Sequence, residues 1–232
     1  MEDSMVEHEV PVFKCPACGL CCTFSPVSIL PHEDIVLRTI ADALGLPYSS
    51  QPGYVIFEEV NRVNLAFSYV MELHNGRCIF LSGSKCMIHD VYKPLICRSY
   101  PYVPRHVRYN IDERNKYILA TADYGVSVAC PVVKKDREVL EKYSGNPALV
   151  IRYLKKEYNA AVEMENIRNT LLSLLSKLWR EGIVEVSTSR RDAPVVNLYE
   201  FLRRYYPDLP GILNIDKVVD KIKVLRGETG DE

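Results

Sequence analysis

The chain has 232 residues and a formal net charge of −1. Apolar residues make up 47% and charged residues 25%, the balance of a soluble globular protein with room for one domain and a helical extension. A charge so close to zero gives no electrostatic basis for a nucleic acid or an anionic membrane as partner.

The opening stretch, MEDSMVEHEV, is acidic and has no apolar core, so it does not read as a signal peptide. The most apolar later run, Leu171 to Trp179, is too short to span a bilayer. These features predict a cytoplasmic protein. Gln51 is the only glutamine, which hints at a thermophile, whose cytosol tolerates disulfides.

Next comes KCPACGLCCTF, which places Cys15, Cys18, Cys21 and Cys22 within eight positions. Cys15, Cys18 and Cys21 form C-x2-C-x2-C. Two intervening residues let neighbouring thiols curl onto one metal, and Gly19 eases the turn of the backbone. A triple of this spacing can hold three corners of an iron–sulfur cubane. If the segment is extended, Cys21 and Cys22 point in opposite directions, so that Cys22 either serves a second site or packs as a small hydrophobe.

PHEDIVLRTIADALG predicts a helix from Pro31, with Ile35, Leu37, Ile40 and Leu44 as its apolar face and Gly45 as its stop. YVIFEEV and VNLAFSYVMEL predict strands. His74 to Gly76 is expected to turn the second strand into RCIFL, making Val63 to Leu81 a hairpin, and SGSK makes a further turn before Cys86. Pro94 and Pro101 bracket a short helical turn that presents Cys97 and Arg98. Two more strands are expected near Val107–Tyr109 and Tyr117–Ala122. From Pro147 to Glu181, apolar residues recur at three- and four-residue spacing through Val150, Leu154, Tyr158, Ala161, Ile167, Leu171, Leu175 and Leu178. That predicts one long helix ending at Gly182. Shorter helices follow at VNLYEFLRRYY and IDKVVDKIKVL.

All eight cysteines precede Pro131; the remainder has none. This boundary divides the chain into a cysteine-rich metal-binding domain, residues 10–131, and a helical region, residues 134–232, packed on it. The expected class is α+β: a short antiparallel sheet with a metal-binding core, then helices.

The candidate ligands are Cys15, Cys18, Cys21, Cys22, Cys78, Cys86, Cys97 and Cys130. Eight thiols divide naturally into two sets of four or one binuclear site. Three readings compete: iron–sulfur clusters, structural zinc, and disulfides. A disulfide between the neighbours Cys21 and Cys22 is strained, which argues against the third for that pair. His89 is a candidate to hydrogen-bond a thiolate. Arg98 or Lys93 is placed to offset thiolate charge; an ordinary ion pair with Asp90 or a C-terminal acid is the alternative for Arg98. Tyr100 and Tyr102 either shield a metal site or belong to the core. No catalytic residue emerges from a recognisable triad or carboxylate pair.

CPACGLCC followed by CIFLSGSKCMIHDVYKPLICRSYP is similar to the CxxCxxCC family of zinc- or iron-chelating proteins. The matching blocks are Cys15 to Cys22, Cys78 to Leu81, Cys86 to His89, Lys93-Pro94 and Cys97 to Pro101, and Cys130 fits a further cysteine of the pattern. Lys93 stands where arginine is commoner. The resemblance implies an iron–sulfur or zinc protein. One member type, the flagellin lysine methylase, shares the cysteine block; nothing else here carries methylation over, since there is no glycine-rich nucleotide loop and no C-x3-C-x2-C triplet. The expectation is an iron–sulfur cluster, [4Fe–4S] in type, in a redox or protein-modifying role. The alternative is a non-enzymatic zinc-stabilised module, its helical half docking a protein partner.

Overall fold

The structure is a computed structural model that describes residues 11–23, 26–143, 145–189 and 191–225. The acidic stretch at residues 1–10, read above as no signal peptide, lies outside them. An irregular strap, residues 11–19, leads into a 3-10 turn, Leu20–Cys22. Strand β1 (Val27–Ile29) then feeds helix α1 (Pro31–Ala43). The helix starts at proline and ends where Gly45 takes a positive φ of 65°, as predicted. Its buried face is rotated from the expected one. Val36, Leu37, Ile40 and Ala41 are buried, whereas Leu44 is exposed. The first turn is buried too, including His32, Glu33 and Asp34.

Strands β2 (Ser50–Pro52), β3 (Val55–Glu58), β4 (Val63–Ala66) and β5 (Tyr69–Met71) follow. The expected long strand from Val63 is therefore two strands in two sheets. β4 pairs antiparallel with β3, while β5 lies between β1 and β2. The expected hairpin from Val63 to Leu81 shrinks to one bridge, His74 with Arg77, because β5 is already paired on both edges. β6 (Leu81–Ser82) and β7 (Lys85–Cys86) form the small hairpin that SGSK predicts, with Gly83 at φ 60° in its turn.

Helix α2 (Leu95–Ser99) fills the space between the two prolines. β8 (Tyr102–Asp112) and β9 (Tyr117–Val126) make a two-stranded ribbon longer than the sequence suggests. Three short helices, α3 (Pro131–Lys135), α4 (Arg137–Tyr143) and α5 (Pro147–Tyr153), lead to α6 (Lys155–Arg180). The single long helix expected from Pro147 is thus broken at Leu154, whose φ of −105° and ψ of 33° leave the helical region. Beyond Gly182 come β10 (Val186–Ser187), β11 (Val195–Asn197), α7 (Leu198–Arg203), α8 (Leu209–Ile212) and α9 (Asp216–Leu225). The fold is α+β, with the helices concentrated toward the C-terminus.

The two compositional halves share a sheet. Its order is β10-β3-β4-β11, with the outer strands supplied from beyond residue 185. Helix α6 lies along β9, and its polar side chains satisfy backbone groups of that strand. The Ile118 N–H donates to Ser176 Oγ at 2.9 Å and the Ala120 N–H to Asn169 Oδ1 at 2.9 Å. Buried amides left without partners are costly, so these contacts fix helix to ribbon. One large hydrophobic core runs from Ile29 through Leu175 to Ile222. A second, small one gathers Phe13, Cys130, Val133, Tyr153 and Leu154. Among the described residues, no helix is long and apolar enough to cross a membrane.

Candidate metal centre

The strap is held at both ends. At its start, the Phe13 N–H donates to the Tyr153 carbonyl at 2.8 Å, beside the break between α5 and α6. At its end, Gly19 lies flat on the β6–β7 hairpin. A Cβ there would stand 3.0 Å from both Leu81 Cδ1 and the Ser84 carbonyl, and φ is 71°. Glycine is therefore required for the close approach and for the backbone angle. The 3-10 turn follows, closed by the Cys22 N–H on the Gly19 carbonyl at 2.9 Å. The Cys78 N–H then donates to the Cys22 carbonyl at 2.8 Å, which ties the chain before the hairpin to the thiol turn.

This turn corrects one expectation. Cys21 and Cys22 are not in an extended segment, and their sulfurs lie on one side of the backbone, 3.9 Å apart. All eight cysteines are free thiols.

The thiols differ in their settings. Cys21, Cys22, Cys78, Cys86 and Cys97 are partly buried. Of these, Cys21, Cys78, Cys86 and Cys97 are linked through their charges: Cys97 to Cys78 and Cys21, Cys78 to Cys86 and Cys21, and Cys86 to Cys21. Cys15 and Cys18 are exposed on the strap, while Cys130 is buried in the small core beside Phe13. Tyr100 lies near thiols of both the strap and the small core. Burial raises its pKa, and the thiols of Cys130, Cys21 and Cys18 all add to that rise. Tyr102 stacks on Tyr124 at 4.9 Å and packs against the small core that holds Cys130.

Every resolved shift among the thiols is upward. Cys21 is raised first by its hydrogen bond with Cys22, then by burial. Burial is the main cause for Cys78, Cys86 and Cys97. The protein thus keeps these groups as neutral thiols until something positive replaces their protons. The Lys93 ammonium acts the other way at Cys21, Cys86 and Cys97, favouring the thiolates. Arg98 makes a two-pronged pair with Glu163 of α6, at 2.9 and 3.2 Å. His89 is exposed, on the turn after Cys86.

Among the described residues, no three His, Cys, Asp or Glu side chains already stand as a closed ion site. The donor chemistry nevertheless fits a soft metal or an iron–sulfur cluster. The thiols of Cys21, Cys22, Cys78, Cys86 and Cys97 are partly buried, with the Lys93 ammonium acting on Cys21, Cys86 and Cys97, and the Asp90 and Glu33 carboxyls acting on Cys86 and Cys97 respectively. Cys21, Cys78, Cys86 and Cys97 would hold the group there, with Cys22 at hand; Cys15, Cys18 and Cys130 are the remaining thiols.

Glu33 has no role in the sequence reading above. Its carboxylate is fully buried and accepts from Leu30 N at 2.9 Å, Leu95 N at 2.7 Å and Tyr92 Oη at 3.1 Å. The available signal was a glutamate three residues after the residue preceding Pro31, the spacing at which a carboxylate reaches back to cap its own helix.

Residues 14–122 match the model of the CxxCxxCC family, described as a "putative zinc- or iron-chelating domain". Cys130 lies beyond the matched residues. No curated protein and no solved structure matches the chain.

Proposed function

We propose, on the family match over residues 14–122 and the gathering of thiols there, that this protein carries an iron–sulfur cluster in a redox role. The observation that carries the reading is that the Cys78 N–H on the Cys22 carbonyl, at 2.8 Å, brings the second cysteine block to the Cys21–Cys22 turn, with Cys86 and Cys97 partly buried against the same core as Cys78. Bound there, a cluster supplies one-electron chemistry. The chain's part is to hold the thiolates, to limit water through the surrounding core, and to offset negative charge with Lys93, which raises a cluster's potential. A protein-modifying role would use the same electron source. The helical half is the part offered to a protein partner, and the compartment is the cytoplasm.

One observation favours a second reading. Two thiolates on a tetrahedral zinc ion, with bonds of about 2.3 Å, stand about 3.8 Å apart. The Cys21–Cys22 separation is 3.9 Å. A zinc ion held partly by this pair would make the protein a zinc-stabilised interaction module.

The deciding measurement is iron, zinc and acid-labile sulfide per chain, on protein purified without air. Iron with matching sulfide is the expected result. Zinc without sulfide would move the assignment to the second reading, and neither metal would overturn both.

A further inference from the structure

We infer that Glu33 is the positioning residue that holds Cys97 against the first cysteine block. The inference rests on the reading of Cys97 as a metal ligand. Helix α2 has only five residues, too few to be stable or oriented by its own hydrogen bonds. Something outside it must fix where Cys97 stands. Glu33 Oε1 accepts from the N–H of Leu95, the first residue of α2, at 2.7 Å, and from the Tyr92 hydroxyl at 3.1 Å. The preceding residue, Pro94, has no N–H to offer. Both flanks of the Lys93-Pro94 pair are therefore gripped by one oxygen of one carboxylate.

The second oxygen, Oε2, accepts from Leu30 N at 2.9 Å and so fixes the start of α1. That start follows β1, which comes a few residues after Cys21 and Cys22. One buried carboxylate thus joins the chain leaving the first cysteine block to the helix that bears Cys97, across 62 residues of sequence. Hydrogen bonds to a carboxylate are among the stronger ones, and water does not reach this one, since Glu33 is 0% exposed. Residues that orient metal ligands from behind typically change metal affinity about 10- to 100-fold when altered.

The test uses the full-length, metal-free protein, reduced and kept without air, titrated with Cd²⁺ and followed by the thiolate-to-metal charge-transfer band. Glu33→Gln keeps the size but cannot accept at both positions. We expect Cd²⁺ affinity to fall about 10-fold or more. The control is Asp34→Asn. Asp34 is equally buried in the same helical turn, but it serves Tyr48, Ser50 and Arg38, away from the thiols. It should leave Cd²⁺ affinity within about 3-fold of the unaltered protein. A second readout is alkylation of the metal-free protein: Cys97 should react faster in Tyr92→Phe, which keeps the Glu33 charge that acts on Cys97, with Cys130 unchanged. Equal losses of affinity in both variants, or no loss in Glu33→Gln, would overturn the inference. If Glu33→Gln does not fold, Tyr92→Phe decides, since it removes one hydroxyl from the same carboxylate; a several-fold loss supports the role and an unchanged affinity rejects it. Failure of the unaltered protein to bind Cd²⁺ at all would instead overturn the metal reading, and this inference with it.

Discussion

Phe13 and Tyr153 lie edge to face, ring centres 6.1 Å apart, with the Phe13 N–H on the Tyr153 carbonyl. The two residues come from opposite ends of the chain's organisation: one opens the cysteine strap, the other closes α5. The break at Leu154 leaves the Tyr153 carbonyl facing the strap, so a helix irregularity becomes a dock for the thiol loop. Phe13 is 4% exposed. Phe13→Ala should cost about 3 to 5 kcal/mol, the range for losing a buried aromatic side chain. Urea unfolding of the purified protein checks it. Alkylation should also reach Cys130 faster, since Phe13 covers it. A loss under about 1 kcal/mol would mean that the strap is not docked in solution.

Gly19 gives a sharper handle on the thiol turn. Gly19→Ala places a methyl group 3.0 Å from a backbone carbonyl and keeps a φ of 71° that alanine adopts poorly. The strain should lower stability by more than about 1 kcal/mol. It should also lift the turn from the hairpin and weaken metal binding at Cys21 and Cys22. Metal content per chain and thermal unfolding would be measured together. Unchanged metal content in this variant would separate the turn geometry from ligation.

The sequence makes some of this legible, and the reasons for the rest are physical. Pro31 and Gly45 mark α1 because they act through local backbone angles. Pro94 and Pro101 mark α2 for the same reason, and the cysteine spacings carry the family match. The split of Val63–Leu73 into β4 and β5 is invisible locally. Its apolar residues read as one strand-like run, and the choice of partners, β3 on one side and β1 with β2 on the other, divides them. β11 was hidden inside a helical pattern because its three residues pair in parallel with β4, far away in sequence. At the thiols, spacing identifies donors but not their grouping. Cys130 is placed by packing with Phe13 and Tyr153, which no spacing rule reports. Glu33 caps its own helix through Leu30, which its place near the helix start allows, but its second task depends on a contact 62 residues away.

The half-buried and the exposed thiols predict different costs of substitution. Cys78, Cys86 and Cys97 pack against the main core. Serine at any of them should remove the bound metal and lower stability by about 1 to 3 kcal/mol, because a buried hydroxyl replaces a small apolar group. Cys15 and Cys18 are exposed. Serine there should lose part of the metal, with effects on the metal-free fold within about 0.5 kcal/mol. Metal analysis combined with denaturant unfolding of the metal-free variants tests the division. Equal stability losses at Cys18 and Cys97 would refute it.

His32 gives the protein a pH dependence unrelated to the thiols. It lies in the first turn of α1, 2% exposed, with Tyr199 edge-on at 6.3 Å and Nδ1 without a hydrogen-bond partner. Burial lowers its pKa from 6.5 to about 3. The positive end of the helix dipole disfavours the imidazolium as well. Between these two values the unfolded chain binds a proton that the folded chain refuses, so stability rises with pH across that window and is lost as pH falls through it. Above the unfolded value the contribution is complete. The slope approaches about 1.4 kcal/mol per pH unit, which makes the fold about 2 kcal/mol weaker at about pH 5 than at about pH 7. Raised carboxyls such as Glu33 act in the opposite sense, because their folded form takes up a proton first as pH falls. The comparison must therefore be between the unaltered protein and His32→Leu, each unfolded by urea at both pH values. The leucine variant should lose most of the pH-dependent difference and keep its stability at the lower pH. Parallel pH profiles in the two proteins would show that His32 is not the group being charged.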